Sequence, residues 1–199
     1  MLLDRLLETA HRLSRIAVRF GGALILFSAL MVCADVLSRR LFGVTMSGSD
    51  EISGYLFAIA TALSLPYALL HRANVRIDAA YTLMPPKLRY ALDLFGLALL
   101  GIFAAFVTWR AALAVQVTWA NDSHAITPLQ TPLIVPQSAW LAGWLLLCLC
   151  LLLVMVAMIA AGIKGDLDRA DRIGGIPSVA EEIEEETAGV LSQRAMKEA

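Results

Sequence analysis

The sequence predicts an all-α polytopic membrane protein with four transmembrane helices, both termini cytoplasmic, and a short acidic helix in the cytoplasmic tail. Three observations carry this expectation. Of the 199 residues 59% are hydrophobic and 17% charged, and the mean hydropathy of +0.71 lies well outside the range of water-soluble domains. Four stretches meet the need for about 20 mostly apolar residues to cross about 30 Å of hydrocarbon. Lysine and arginine collect in the short segments flanking these stretches, with a strong bias to one side. A net charge of −1 leaves no electrostatic footprint for a nucleic-acid partner.

The first span covers residues 16–37 and follows a basic N-terminal segment, residues 1–15. Its apolar run is long enough to span, which reads against a cleaved leader. The second, residues 52–70, carries no charge, and Pro66 is expected to kink it one turn before its end. The third covers residues 93–120, and its only basic residue is Arg110. The fourth, residues 137–163, opens just after Pro136, a residue suited to a first helical turn where its missing N–H is not needed. Residues 164–199 form an acidic tail: Gly174, Gly175 and Pro177 make a break, and Ser178 with Glu181 has the form of a capping box.

Arg5, Arg12, Arg15 and Arg19 precede the first span, Arg72, Arg76, Lys87 and Arg89 fill the second loop, and Lys164, Arg169 and Arg172 follow the fourth. These positive segments resist translocation and set both termini and the second loop inside. Arg39 and Arg40 then fall outside, offset by Asp35, Asp50 and Glu51.

No charge lies at mid-depth in a span, where proton, ion and substrate paths usually place one. His11, His71 and His124 fall in flanks or loops, which argues against paired axial haem ligands. Cys33, Cys148 and Cys150 read as small apolar residues, the last two being one residue short of a CxxC spacing. No catalytic, cofactor or metal residues are expected, and the chain reads as a partner of other proteins.

Packing signals are richer. Gly54, Ala58 and Ala62 recur every fourth residue on the second span and leave a flat stripe for close helix approach. Gly101 with Ala105, and Ala157 with Ala161, are shorter instances on the third and fourth spans. Either a helix of the same chain or a second subunit would fill them. Arg110, about 25 Å above Asp93 at 1.5 Å per residue, is a candidate to pair with Asp35, Asp50, Glu51 or an acid of another subunit. Snorkelling of Arg110 and a local Asp35/Arg39 pair are the competing readings. Ser47, Ser49, Asp50 and Glu51 precede the second span, where hydroxyls cap free N–H groups and acids suit the positive helix end. Docking of another protein is the alternative there, together with Asn121, Asp122 and His124 in the third loop.

The order of these motifs resembles the small membrane subunit of tripartite ATP-independent periplasmic (TRAP) transporters. The resemblance covers about residues 16–163. It rests on Asp35, Arg39, Phe42 and Gly43 leaving the first span, the acidic pair Asp50-Glu51 opening the second, and Asn74-Val-Arg76-Ile-Asp78 in the second loop. Pro128, Pro132, Pro136 and Trp140 ahead of the last span complete it; Asn74 stands where the family has histidine. The resemblance implies a bacterial inner-membrane heterodimer with a large permease subunit. That subunit would use a sodium gradient, with no cofactor in this chain, and would be fed small organic acids by a periplasmic substrate-binding protein. Arg76 and Asp78 would then tie the second loop to the large subunit or to membrane lipids. The rival from a different class is a four-helix membrane anchor of a quinone-linked oxidoreductase.

Overall fold

The computed structural model describes residues 2–73, 84–175 and 187. The described residues form five helices: α1 (Leu2–Phe42), α2 (Ser49–Leu70), α3 (Pro86–Ala120), α4 (Ile134–Ile163) and α5 (Leu167–Gly174). The described residues contain no strand, only an isolated bridge between His124 and Pro132. The first four helices are long and apolar enough to cross a membrane. In a bilayer only a helix or a closed barrel satisfies its own backbone hydrogen bonds, so segments this apolar take the helical solution.

All four spanning helices outrun the spans read from sequence, α1 and α3 by the most. The 41 residues of α1 extend about 62 Å at about 1.5 Å per residue, twice a hydrocarbon layer. The basic segment is thus the first part of one continuous helix. Helix α3 likewise starts at Pro86 rather than near Asp93, because Pro86 sits in its first turn with its φ already suited to a helix.

The helices are not arranged as a closed bundle. Helix α1 packs on α2, α2 on α4, and α4 on α3, giving a row in the order α1, α2, α4, α3. Helix α4 is the hub: 39% of its most apolar stretch is buried, against 11% in α1. Leu147, Cys150, Leu151, Val154 and Met158 of α4 form the core with Leu97 and Ala104 of α3 and Leu69 and Leu70 of α2.

Small residues set the tightest approaches. A Cβ on Gly143 of α4 would lie 2.7 Å from Ala62 Cβ and 2.8 Å from the Ala62 carbonyl carbon of α2. A Cβ on Gly21 of α1 would lie 3.0 Å from the Ala60 carbonyl oxygen. Helix α2 is therefore held on both sides by a glycine, one from each neighbour, which lets backbones pack where bulky side chains would hold them apart.

One pole of the row gathers the described parts of both chain ends and is here the terminal pole. Helix α5 folds back there. The Asp166 carboxylate accepts from Arg169 N at 3.0 Å as its N-cap. Ala170 is fully buried, and Gly174 presses against Met158 Sδ of α4. Arg169 pairs with Asp4 of α1, and Arg72 Nη1 donates to the Asp171 carbonyl at 3.4 Å. Tyr90 of α3 donates to the Met158 carbonyl at 3.3 Å and lies over Gly162. His71 stacks on Tyr67 with ring centroids 3.8 Å apart and meets His11 edge-on at 5.7 Å. The tail helix expected from Ser178, and the second-loop residues Asn74, Arg76 and Asp78, lie outside the described residues.

Candidate functional site at the loop pole

At the opposite pole the α1–α2 turn and the α3–α4 loop meet. Asp35 sits two turns before the end of α1 and is 6% exposed. Its carboxylate accepts from the Met46 backbone N–H and from Thr45 Oγ1, the latter at 3.2 Å, and the Ser49 hydroxyl lies close enough to act on it. A carboxylate taking a backbone N–H and a hydroxyl is held by charge-assisted hydrogen bonds. It folds residues 43–48 back over the helix end, and Ser38 Oγ adds a bond to the Val44 carbonyl at 3.0 Å.

Ser49 is the first residue of α2 and does not cap it. The N-cap is Gly48, with φ 99° and no side-chain bond, so the expected hydroxyl cap is replaced by a left-handed glycine. A side chain at 48 would also collide with Leu129 of the α3–α4 loop. Leu129 therefore plugs the turn and joins the two loops.

Glu51 makes the second junction. Tyr55 donates to Glu51 Oε1 at 2.9 Å, one turn along α2. The Thr127 and Thr131 hydroxyls lie close enough to act on the carboxylate, yet strict hydrogen-bond geometry is not reached. Glu51 Oε2 and both hydroxyl oxygens are thus buried without a formed bond. A small hydroxyl rotation or one ordered water would satisfy all three. The loop itself is a tight hairpin: Ala125 N donates to the Thr131 carbonyl at 3.0 Å and Leu133 N to the Ser123 carbonyl at 3.1 Å. Asp122 and Gln130 supply the left-handed turns, with φ 45° and 48°. Thr118 Oγ1 donates to Gln137 Oε1 at 2.7 Å and ties α3 to α4 beneath it.

Asp50, Asn121, Asp122 and His124 are exposed at this pole, and His124 Nδ1 lies 2.7 Å from the Asp122 carbonyl. Ile126, at the tip of the loop, is entirely exposed. The structure brings Glu51 together with the third loop, leaving Asp50 open. It does not bring Arg110 to Asp35: α3 and α1 lie at opposite edges of the row, Arg110 is exposed, and Asp35 is engaged by its own loop. Arg39 is exposed on the turn following Asp35.

The packing candidates separate in the same way. Ala62 is buried against Gly143, Ala58 is half-buried, and a Cβ on Gly54 would meet nothing within 4 Å. Gly101 and Ala105 line an open apolar groove of about 400 Å³ between α3 and α4, shared with Cys148 and Leu151. Sequence reasoning missed Tyr55, Thr127 and Thr131 as partners of Glu51, and Gly21 and Gly143 as contact points. The i, i+4 spacing of Glu51 and Tyr55 was available as a signal; the threonines, far along the chain, offered none. Among the described residues no group of three or more His, Cys, Asp or Glu side chains could hold a metal ion.

A family model described as "Tripartite ATP-independent periplasmic transporters, DctQ component" matches residues 28–162. Neither the curated proteins nor the solved structures contain a match.

Proposed function

From the membership of this chain in the DctQ family of TRAP transporter components, we propose that it is the small accessory permease subunit of such a transporter in a bacterial inner membrane. That family is a transporter component family, and its members work in assemblies with a large permease and a binding protein. The chain braces the large, sodium-coupled subunit and helps dock the periplasmic substrate-binding protein during uptake of a small organic acid. The observation that carries this reading is the family match across α1 to α4. The row of helices supports it, because broad apolar faces are left uncovered on α1 and α3 while polar bonding concentrates at the poles. A positive-inside orientation puts the terminal pole in the cytoplasm and the loop pole in the periplasm.

In this reading Gly54, Ala58, Gly101 and Ala105 offer close approach to the large subunit. Arg39 and Arg110 meet acids or headgroups at its outer rim. Arg76 and Asp78 do so on the inner side, with membrane lipids. Asp50, Asn121, Asp122 and His124 present polar docking contacts, with Asp35 and Glu51 holding the loops that carry them.

Purification from native membranes in mild detergent tests the proposal. A large hydrophobic permease should accompany the chain in a fixed ratio, and vesicles reconstituted with the chain alone should show no uptake. Uptake by the chain alone, or Soret absorption of the purified protein, would overturn it in favour of a self-sufficient carrier or a quinone-linked anchor.

A further inference from the structure

Helix α1 carries two apolar faces with different side chains. The face turned to α2 is small: Ala10, Ser14, Gly21 and Asp35 are its buried positions, spaced near multiples of seven and four. A second face, about 100° round the helix at about 3.6 residues per turn, is bulky. Every seventh residue from Leu6, namely Leu13, Phe20, Phe27, Ala34 and Leu41, shares it with Thr9, Ile16, Ala23, Leu30 and Leu37. This alternation of three and four is the a/d pattern of a left-handed helix pair. None of it is covered: exposure is 43% at Leu6, 64% at Ile16, 61% at Leu30 and 70% at Leu41.

Lipid tails alone do not match this seam. From Leu6 to Leu41 it runs about 52 Å at about 1.5 Å per residue. Hydrocarbon is about 30 Å thick, and a helix tilted by about 40°, the upper end of the usual range, meets only about 39 Å of it. At one or both ends, bulky apolar residues of the seam extend past the tails. The flanking positions mark the same limits. The residue just before each repeat is Arg5, Arg12 or Arg19 at one end and Arg40 at the other, all exposed, while Leu26 and Cys33 hold the equivalent places between them.

We infer that this face of α1 is the seam for one long helix of a partner, apolar at its facing positions and acidic where it passes Arg5 and Arg19, Arg12 being paired with Glu8 of its own helix at 2.6 Å. Resting on the function proposed above, that partner is the large permease subunit. A second copy of this chain fits poorly. In a parallel pair Arg12 would face the position of Ala10 or Ala17, which carries no acid, and Ala10 is already buried within its own chain.

Photo-cross-linking in native membranes expressing the whole transporter tests the seam. The photoreactive residue p-benzoylphenylalanine replaces Leu13, Phe27 or Leu37, and separately Phe103 on α3, which is 57% exposed. The expected result is an adduct from each of the three α1 positions, identified by peptide mapping as the large subunit, and several-fold less from Phe103. Lipid adducts only, a dimer of this chain, attachment to its own residues 176–199, or equal yield from Phe103 would each overturn the inference. If the large subunit co-purifies with the unsubstituted chain but cross-links elsewhere, the seam alone fails. If it does not co-purify at all, the proposed function fails with it.

Discussion

Asp35 is a buried ionisable group within a spanning helix, and its neighbours show why it is tolerated. Its carboxylate accepts from Thr45 and the Met46 N–H, so the charge is spent on closing a turn. Replacing Asp35 with Ala should leave the α1–α2 turn unpinned, and amide hydrogen exchange of residues 43–48 should rise sharply while that of α4 does not change. Gly48 is a second fixed point. Ala there must adopt φ near 99° and overlap Leu129, a backbone cost of about 1–2 kcal/mol before any steric term. Gly48→Ala should lower the thermal midpoint in detergent, and adding Leu129→Ala should recover only the steric share.

Legibility at this scale was uneven. The acids themselves and their place at helix ends were plain from spacing. The choice of partner was not, since Asp35 reaches forward 10 and 11 residues and the threonines beside Glu51 lie more than 70 positions along the chain. Asp35 stood among the candidate partners of Arg110 because their heights along the helices agree. Height is one coordinate, and the lateral order of helices separates them.

At the scale of elements, the glycines decide. Gly143 lies against the backbone of Ala62, so Gly143→Val should force α2 and α4 apart, with overpacking costing about 1–3 kcal/mol. The purified chain should lose thermal stability or monodispersity. Gly54→Ala should do the opposite in the isolated chain: its Cβ meets nothing, and alanine favours a helix by about 1 kcal/mol over glycine. If Gly54 receives the large subunit, the same change should reduce recovery of that subunit without harming the chain. The every-fourth stripe on α2 was visible in the sequence, but only one end of it is used within the chain.

Helix α5 belongs to the same scale. Leu167, Ala170 and Ile173 recur every third residue behind Asp166, a readable amphipathic pattern that the charge count masked. Its anchor is the fully buried Ala170, and the Arg169 pair with Asp4 is half-exposed. Such exposed pairs contribute little. Ala170→Asp should release α5 to limited proteolysis after Lys164, while Arg169→Ala should leave the cleavage pattern nearly unchanged.

For the whole molecule, a row of helices in place of a closed bundle leaves α1 and α3 with apolar faces on the outside. The proposed bracing role needs such uncovered faces, and both the co-purification and the cross-linking experiments address it at this level. The four spans and the polarity of their flanks were determined by the sequence alone, because hydropathy, length and backbone satisfaction are local properties that each segment meets by itself. The lateral order α1, α2, α4, α3, the glycine contacts at Gly21 and Gly143, and the joining of Glu51 to the α3–α4 loop were decided only by the tertiary structure. Lipid tails are as apolar as leucine, so polarity does not mark which apolar face turns to protein; close packing in three dimensions does.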